Sequence, residues 1–173
     1  MTNHPARDKM LEAYQATLEQ LKHLWHETEE HAIPTLKQNM DIAIEKMTEL
    51  GELSQEEIQT ITGYLKKDLE QAADFLEKSG KSTADWLEFD LQFAEKKFAE
   101  MFTAAVDKTR IELNVLQDDL QKNAEWHTGE ITGVGMLVCQ SCNEVLHFKK
   151  PGHIPPCPKC NKTVFKKKYN EAE

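Results

Sequence analysis

Cys139-Gln-Ser-Cys142 and Cys157-Pro-Lys-Cys160 are two matched C-x2-C pairs separated by a fourteen-residue loop, Asn143 to Pro156, and they hold all four cysteines of the 173-residue chain. Two thiolates three positions apart can grip one side of a metal ion, and a second pair completes a tetrahedron with Zn–S distances of about 2.3 Å. The spacing is close to that of four-cysteine zinc sites. It sets the expected C-terminal fold: short strands wrapped around a metal. Met136–Val138, Glu144–Phe148 and Thr163–Lys167 alternate or carry β-formers, so three such strands are expected. Asn143 and Asn161 each follow the second cysteine of a pair. A left-handed backbone is expected there, and Asn is the best replacement for Gly in that role.

Cys139, Cys142, Cys157 and Cys160 are therefore the expected ligands of one structural zinc ion. Four thiolates leave no coordination position for water or substrate, whereas catalytic zinc keeps one open. Iron is the less favoured rival, since paired knuckles of this kind accept it too. A ribbon of about forty residues is too small to build a sufficient core alone, so metal binding must supply folding energy. Neither pair opens a helix in a βαβ pattern, which argues against thiol redox chemistry. His147 and His153 lie between the knuckles and read as surface residues.

Upstream, His127-Thr-Gly-Glu-Ile-Thr-Gly-Val-Gly135 is glycine-rich and marks a boundary. It divides the chain into an acidic helical bundle or coiled-coil region, 1–126, and the zinc ribbon, 127–173. Leu11, Tyr14, Leu18, Leu21, Trp25, Thr28 and Ala32 make one apolar stripe, and Leu36, Met40, Ala43, Met47 and Leu50 a second, closed by Gly51. Ser54-Gln-Glu-Glu57 is a capping box opening a third helix, with Ile58, Ile61, Leu65, Leu69, Ala72 and Leu76 inward and Gly80 as its stop. Ser82 or Thr83 caps a last helix that the pattern carries as far as Trp126. At roughly forty residues it would be about 60 Å long. The expected architecture is thus mostly α: a long antiparallel hairpin or bundle, coiled-coil-like, followed by the small β ribbon. A second copy packed through the helices is one way to cover so long a seam.

Leu50-Gly-Glu-Leu-Ser-Gln-Glu-Glu57, Leu65-Lys-Lys-Asp-Leu-Glu70 and His127-Thr-Gly-Glu130 running into Leu137-Val-Cys-Gln-Ser-Cys142 resemble the YbeL-like bacterial zinc-ribbon family. The likeness follows the chain in order, helices first and ribbon last. It implies architecture and a metal, but no reaction, since the family is one of uncharacterised function.

The formal charge of −9 divides into −12 over residues 1–126 and +3 over 127–173. An acidic body repels phosphate backbones and weighs against the whole chain coating nucleic acid. His23, His26, Glu27, Glu30 and His31 cluster on the first helix away from its stripe, and read as a solvated face. Lysines alternate with aromatics in Phe148-Lys-Lys150 and Phe165-Lys-Lys-Lys-Tyr169, so Lys149, Lys150, Lys166, Lys167 and Lys168 are the candidate nucleic-acid contacts. No Ser/His/Asp set or phosphate loop supports catalysis. With no apolar run of about 18 residues and no signal-peptide layout, the expected address is cytoplasmic, without a membrane span. The expected function is a non-enzymatic adaptor that meets a protein partner. The alternative is a nucleic-acid-binding protein.

Overall fold

The computed structural model describes residues 5–26, 53–112 and 125–169, with seven isolated positions between 41 and 51. Among them are four long or short helices: α1 (Pro5–His26), α2 (Gln55–Ser79), α3 (Thr83–Phe89) and α4 (Lys96–Glu112). Six strands follow: β1 (Glu125–His127), β2 (Ile131–Thr132), β3 (Gly135–Cys139), β4 (Val145–Phe148), β5 (Gly152–His153) and β6 (Val164–Lys168). The five residues of the second stripe, Leu36 to Leu50, lie outside the described residues, as do the side chains of His23, His26, Glu27, Glu30 and His31.

α2 forms where its sequence requires. Ser54 accepts from the Glu57 N–H at 3.2 Å while the Glu57 carboxylate accepts from the Ser54 N–H at 2.9 Å, so two orphan donors are satisfied at once. Gly80 ends the helix at φ 72°, and its N–H bonds the Leu76 carbonyl. All six residues of the expected stripe, Ile58 to Leu76, are buried. All but Ile58 share one core with Tyr14 and Leu18 from α1, and with Met101, Phe102, Ala105 and Val106 from α4.

The long coiled-coil-like hairpin is not what the chain builds. The helix expected from Ser82 to Trp126 stops at Phe89, resumes at Lys96 and is described as far as Glu112; Trp126 is a strand residue. Trp86 and Leu91 explain the break. Five positions apart, they would sit about 140° apart on an unbroken helix. Both are nonetheless buried, at 1% and 2% exposure. Unwinding between them lets both enter one core. The Leu91 N–H reaches back to the Trp86 carbonyl at 3.2 Å, and the Glu95 N–H is taken by the Lys149 carbonyl of the ribbon at 2.8 Å. Backbone polarity freed by the break is thus satisfied from another part of the fold. The same core also takes Ile131 and Val134 from the ribbon region. A coiled-coil seam would have had no place for them.

The ribbon carries the three expected strands as β3, β4 and β6, and three more. Its antiparallel sheet runs β1-β6-β3-β4, and β2 pairs with β5 in a separate two-stranded sheet. His127-Thr-Gly-Glu130 is a tight turn closed by the Glu130 N–H on the His127 carbonyl at 3.1 Å. Gly129 stands third in it at φ 96°, a positive φ that favours glycine at this position of a turn.

Candidate metal centre and its support

The two knuckles are built alike. The Asn143 N–H bonds the Cys139 carbonyl and the Asn161 N–H the Cys157 carbonyl, both at 2.9 Å. Asn143 at φ 62° and Asn161 at φ 60° take the left-handed conformation expected of them. The chain then doubles back, with the Cys139 N–H on Glu144 at 2.8 Å and the Cys157 N–H on Lys162 at 2.9 Å. Each pair therefore presents its two sulfurs from one tight loop.

Facing each other, the loops bring Cys139 Sγ within 3.5 Å of Cys160 Sγ, and Cys142 Sγ within 3.5 Å of Cys157 Sγ. All four sulfurs lie within 4.8 Å of one another. A disulfide needs about 2.05 Å, so these are free thiols. A ZnS4 tetrahedron has an S···S edge of about 3.8 Å, which falls inside this range. Among the described residues no other group of three His, Cys, Asp or Glu side chains converges in this way.

The electrostatics favour the same conclusion. Burial opposes ionisation of Cys139, yet the N–H groups of Ser141 and Cys142 and the neighbouring sulfurs bring its thiol down to about 7. At Cys142 the Glu144 N–H favours the thiolate, but burial and the three other sulfurs push the thiol up to about 12. Four thiolates so close repel one another unless a divalent cation lies between them. Cys139, Cys142, Cys157 and Cys160 thus form a closed four-sulfur site that fits one structural zinc ion. Zinc bound there supplies folding energy to the ribbon.

Behind the sulfurs stands a small core of Trp126, Leu137, Ile154 and Phe165. Register places Phe165 across from both Trp126 and Cys139. The Trp126 indole N–H donates to Gln71 Oε1 on α2 at 2.8 Å, and the Lys67 ammonium lies 4.1 Å above its ring. Lys67 also donates to the Glu125 carbonyl and pairs with Glu130 at 3.8 Å. Burial lowers its ammonium below the usual lysine range, against the pull of Glu130 and Asp68.

Asp68, next along α2, was not singled out by the sequence. It is fully buried. Its carboxylate accepts from the Tyr14 hydroxyl at 2.9 Å, the Thr132 hydroxyl at 3.1 Å and the Gly133 N–H at 2.6 Å. Lys167, only 6% exposed at its side chain, pairs with it at 2.6 Å and donates to Thr132 as well. Gly133 permits the close approach. A Cβ there would stand 3.0 Å from both the Phe102 ring and the Tyr14 hydroxyl. A signal was present: Asp68 stands three residues after Leu65, on the apolar face of its helix.

The five candidate lysines part company. Lys149, Lys150, Lys166 and Lys168 are exposed, whereas Lys167 turns into the Asp68 pair. Of the aromatics beside them, Phe165 is fully buried and Tyr169 stacks on Phe75 with ring centroids 4.4 Å apart. His147 packs edge-on against Phe93, and His153 approaches the Gly129 carbonyl; neither reaches the sulfurs.

Helices carrying a four-cysteine β ribbon define a zinc-ribbon protein. The family described as "Zinc-ribbon containing domain" matches residues 23–169, and the chain belongs to it. It is 29% identical over 126 residues to "Uncharacterized protein YbeL" of Escherichia coli strain K12, covering 73% of this chain and 78% of that protein. The YbeL proteins of strains O6:H1 and O157:H7 match to the same extent. No solved structure matches. The segments that carried the resemblance meet in the fold: Leu65–Glu70 supplies Lys67 and Asp68, and His127–Glu130 supplies the partner of Lys67.

Proposed function

We propose that this chain is a zinc-dependent, non-enzymatic adaptor of the cytoplasm, whose ribbon presents the outer face of its sheet to a protein partner. The carrying observation is the contrast between the two faces. Residues directly opposite across a strand pair share a face. The inner one, with Trp126, Phe165, Leu137 and Lys167, is filled by the ribbon core and the Asp68 pair. On the outer one Val138, Val145 and Val164 stay half-buried beside the buried Met136, ringed by exposed Glu125, His127, His147, Lys166 and Lys168. An apolar strip with a mixed-charge rim suits a protein surface. The closed sulfur set supports a non-catalytic role, because it offers substrate no coordination position. Among the described residues no helix is long and apolar enough to cross a membrane.

The second reading, nucleic acid on the ribbon, rests on Lys149, Lys150, Lys166 and Lys168. With Phe165 and Tyr169 already packed, it would depend on phosphates more than on stacked bases.

A tagged pull-down from nuclease-treated lysate tests the choice, with Val145→Glu as the paired bait after confirming that it retains zinc. Proteins held by the natural chain and lost by the variant support the adaptor. Capture that disappears with nuclease, together with oligonucleotide affinity falling steeply with salt and weakened by Lys149→Glu, transfers the function to nucleic acid. Self-association through the helices is read by light scattering of the same preparation.

A further inference from the structure

We propose that Asp68 is a latch coupling the four-cysteine site to the packing of α1 on α2, so that metal loss in the ribbon loosens helices that touch none of the cysteines. The inference stands apart from the choice of partner. It rests on a continuous set of contacts. Cys139 lies across from Phe165, and two residues on in the same strands Leu137 lies across from Lys167. β3 and β6, which each knuckle feeds or receives, thereby fix where the Lys167 ammonium stands. That ammonium meets Asp68 and Thr132, both at 2.6 Å. The Gly133 N–H, from the segment between β2 and β3, completes the carboxylate's shell at 2.6 Å. From the opposite side Tyr14 of α1 donates at 2.9 Å, and Thr17 and Leu18 of the same helix are buried.

Four segments thus share one carboxylate that no water reaches. Three of its five polar contacts come from Thr132 and Gly133, a fourth from Lys167, and only Tyr14 belongs to the helices. When the knuckles lose their metal, β3 and β6 lose their anchor, and the ribbon donors leave Asp68. A buried carboxylate stripped of its cation is strongly unfavourable. The readiest relief is to open the α1–α2 seam and admit water. By linkage, weakening the latch must weaken zinc binding by the same factor.

Hydrogen–deuterium exchange on the full chain, zinc-loaded and then stripped by a chelator under reducing conditions, reads the effect directly. The expected result is faster exchange, at least tenfold, in α1 around Tyr14 and in α2 around Asp68 as well as in the ribbon. Unchanged protection in both helices overturns the latch. Competition with a chromogenic zinc chelator gives the reciprocal measurement. Lys167→Met should lower zinc affinity about tenfold, while Lys168→Met, next in the strand but on the other face, should leave it unchanged. Equal effects of the two variants also overturn it. Should Lys167→Met not fold, the Asp68→Leu, Lys167→Met pair removes both charges together. Helix protection that follows zinc as strongly in this pair as in the natural chain refutes the latch; a clearly smaller response to zinc sustains it.

Discussion

The core around Trp126 and Phe165 and the core around Tyr14, Leu65 and Phe102 are neighbours built on different terms. The first has six buried residues, two of them zinc-binding cysteines. The second has eighteen, apolar apart from the Tyr14 hydroxyl and the Trp86 indole N–H, drawn from all four described helices and from the ribbon. At about 25 cal/mol per Å² of buried apolar surface, only the larger gains enough from burial to matter by itself. The smaller needs its ion. What the contrast teaches is that size does not set dependence in one direction only. The large core encloses Asp68, and Asp68 borrows its cation from the small one.

Cys157→Ser breaks the comparison most completely. It removes one of four sulfurs, and apparent zinc-binding energies of about 10–16 kcal/mol in small zinc-dependent domains indicate how much rests on the ion. The ribbon should lose its near-ultraviolet circular dichroism from Trp126. Far-ultraviolet signal and thermal midpoint should fall too, because Ile131 and Val134 leave the helical core. Full retention of both would make the cores independent.

Lys167→Met comes next and cuts only the bridge. Removing one partner of a buried ion pair costs about 3–5 kcal/mol, most of it from the charge left behind. Urea denaturation of the zinc-loaded protein should report a loss in this range. Replacing Asp68 and Lys167 together by apolar residues should recover much of it.

Tyr14→Phe probes the same carboxylate from the helical side, and should cost about 1.5–3 kcal/mol as one hydrogen bond to a charged group. It also carries a pH signature. Burial, the Asp68 charge and the hydrogen bond to it together hold the Tyr14 phenol well above 10.0. Folded, the group remains neutral where the unfolded chain ionises it. Its contribution is complete below pH 10 and is lost as the pH climbs from there towards the folded value. Stability of the natural chain should therefore drop between pH 9 and 11, more steeply than that of Tyr14→Phe. Parallel curves would remove Tyr14 from the account.

The two cores also differed in how far they could be read from the amino acids. A metal site constrains residue type, spacing and backbone hand at once, so the convergence of the four cysteines, the left-handed Asn143 and Asn161, and three strands were legible. Helical periodicity constrains only which face is apolar. It placed Ile58 to Leu76 correctly, but carried one helix through Asp90–Glu95. The reason to stop there is tertiary: Trp86 and Leu91 enter one core, and a Lys149 carbonyl far along the chain takes the freed Glu95 N–H. Asp68 showed as a carboxylate on an apolar face, but its partners Thr132 and Gly133 lie 64 and 65 residues away. In the sequence Lys167 belongs with Lys166 and Lys168 to one basic run. Strand alternation sends it to the opposite face.

Tyr169→Phe sharpens the comparison at its smallest scale. Tyr169 leaves β6 two residues beyond Lys167 and stacks on Phe75 of α2, interplanar angle 14°. It ties ribbon to helices by an apolar route beside the ionic one. Its hydroxyl is buried and finds no hydrogen-bond partner among the described residues. Burial first, then the charges of Asp68 and Asp74, hold the phenol well above its usual range. An unsatisfied buried hydroxyl costs about 1–3 kcal/mol, so removing one oxygen while keeping the ring should leave stability unchanged or raise it. A loss in urea denaturation would mean that the hydroxyl is bonded. A gain would make this contact apolar throughout, leaving Asp68–Lys167, with the more exposed Lys67–Glu130, to carry charge between helices and ribbon.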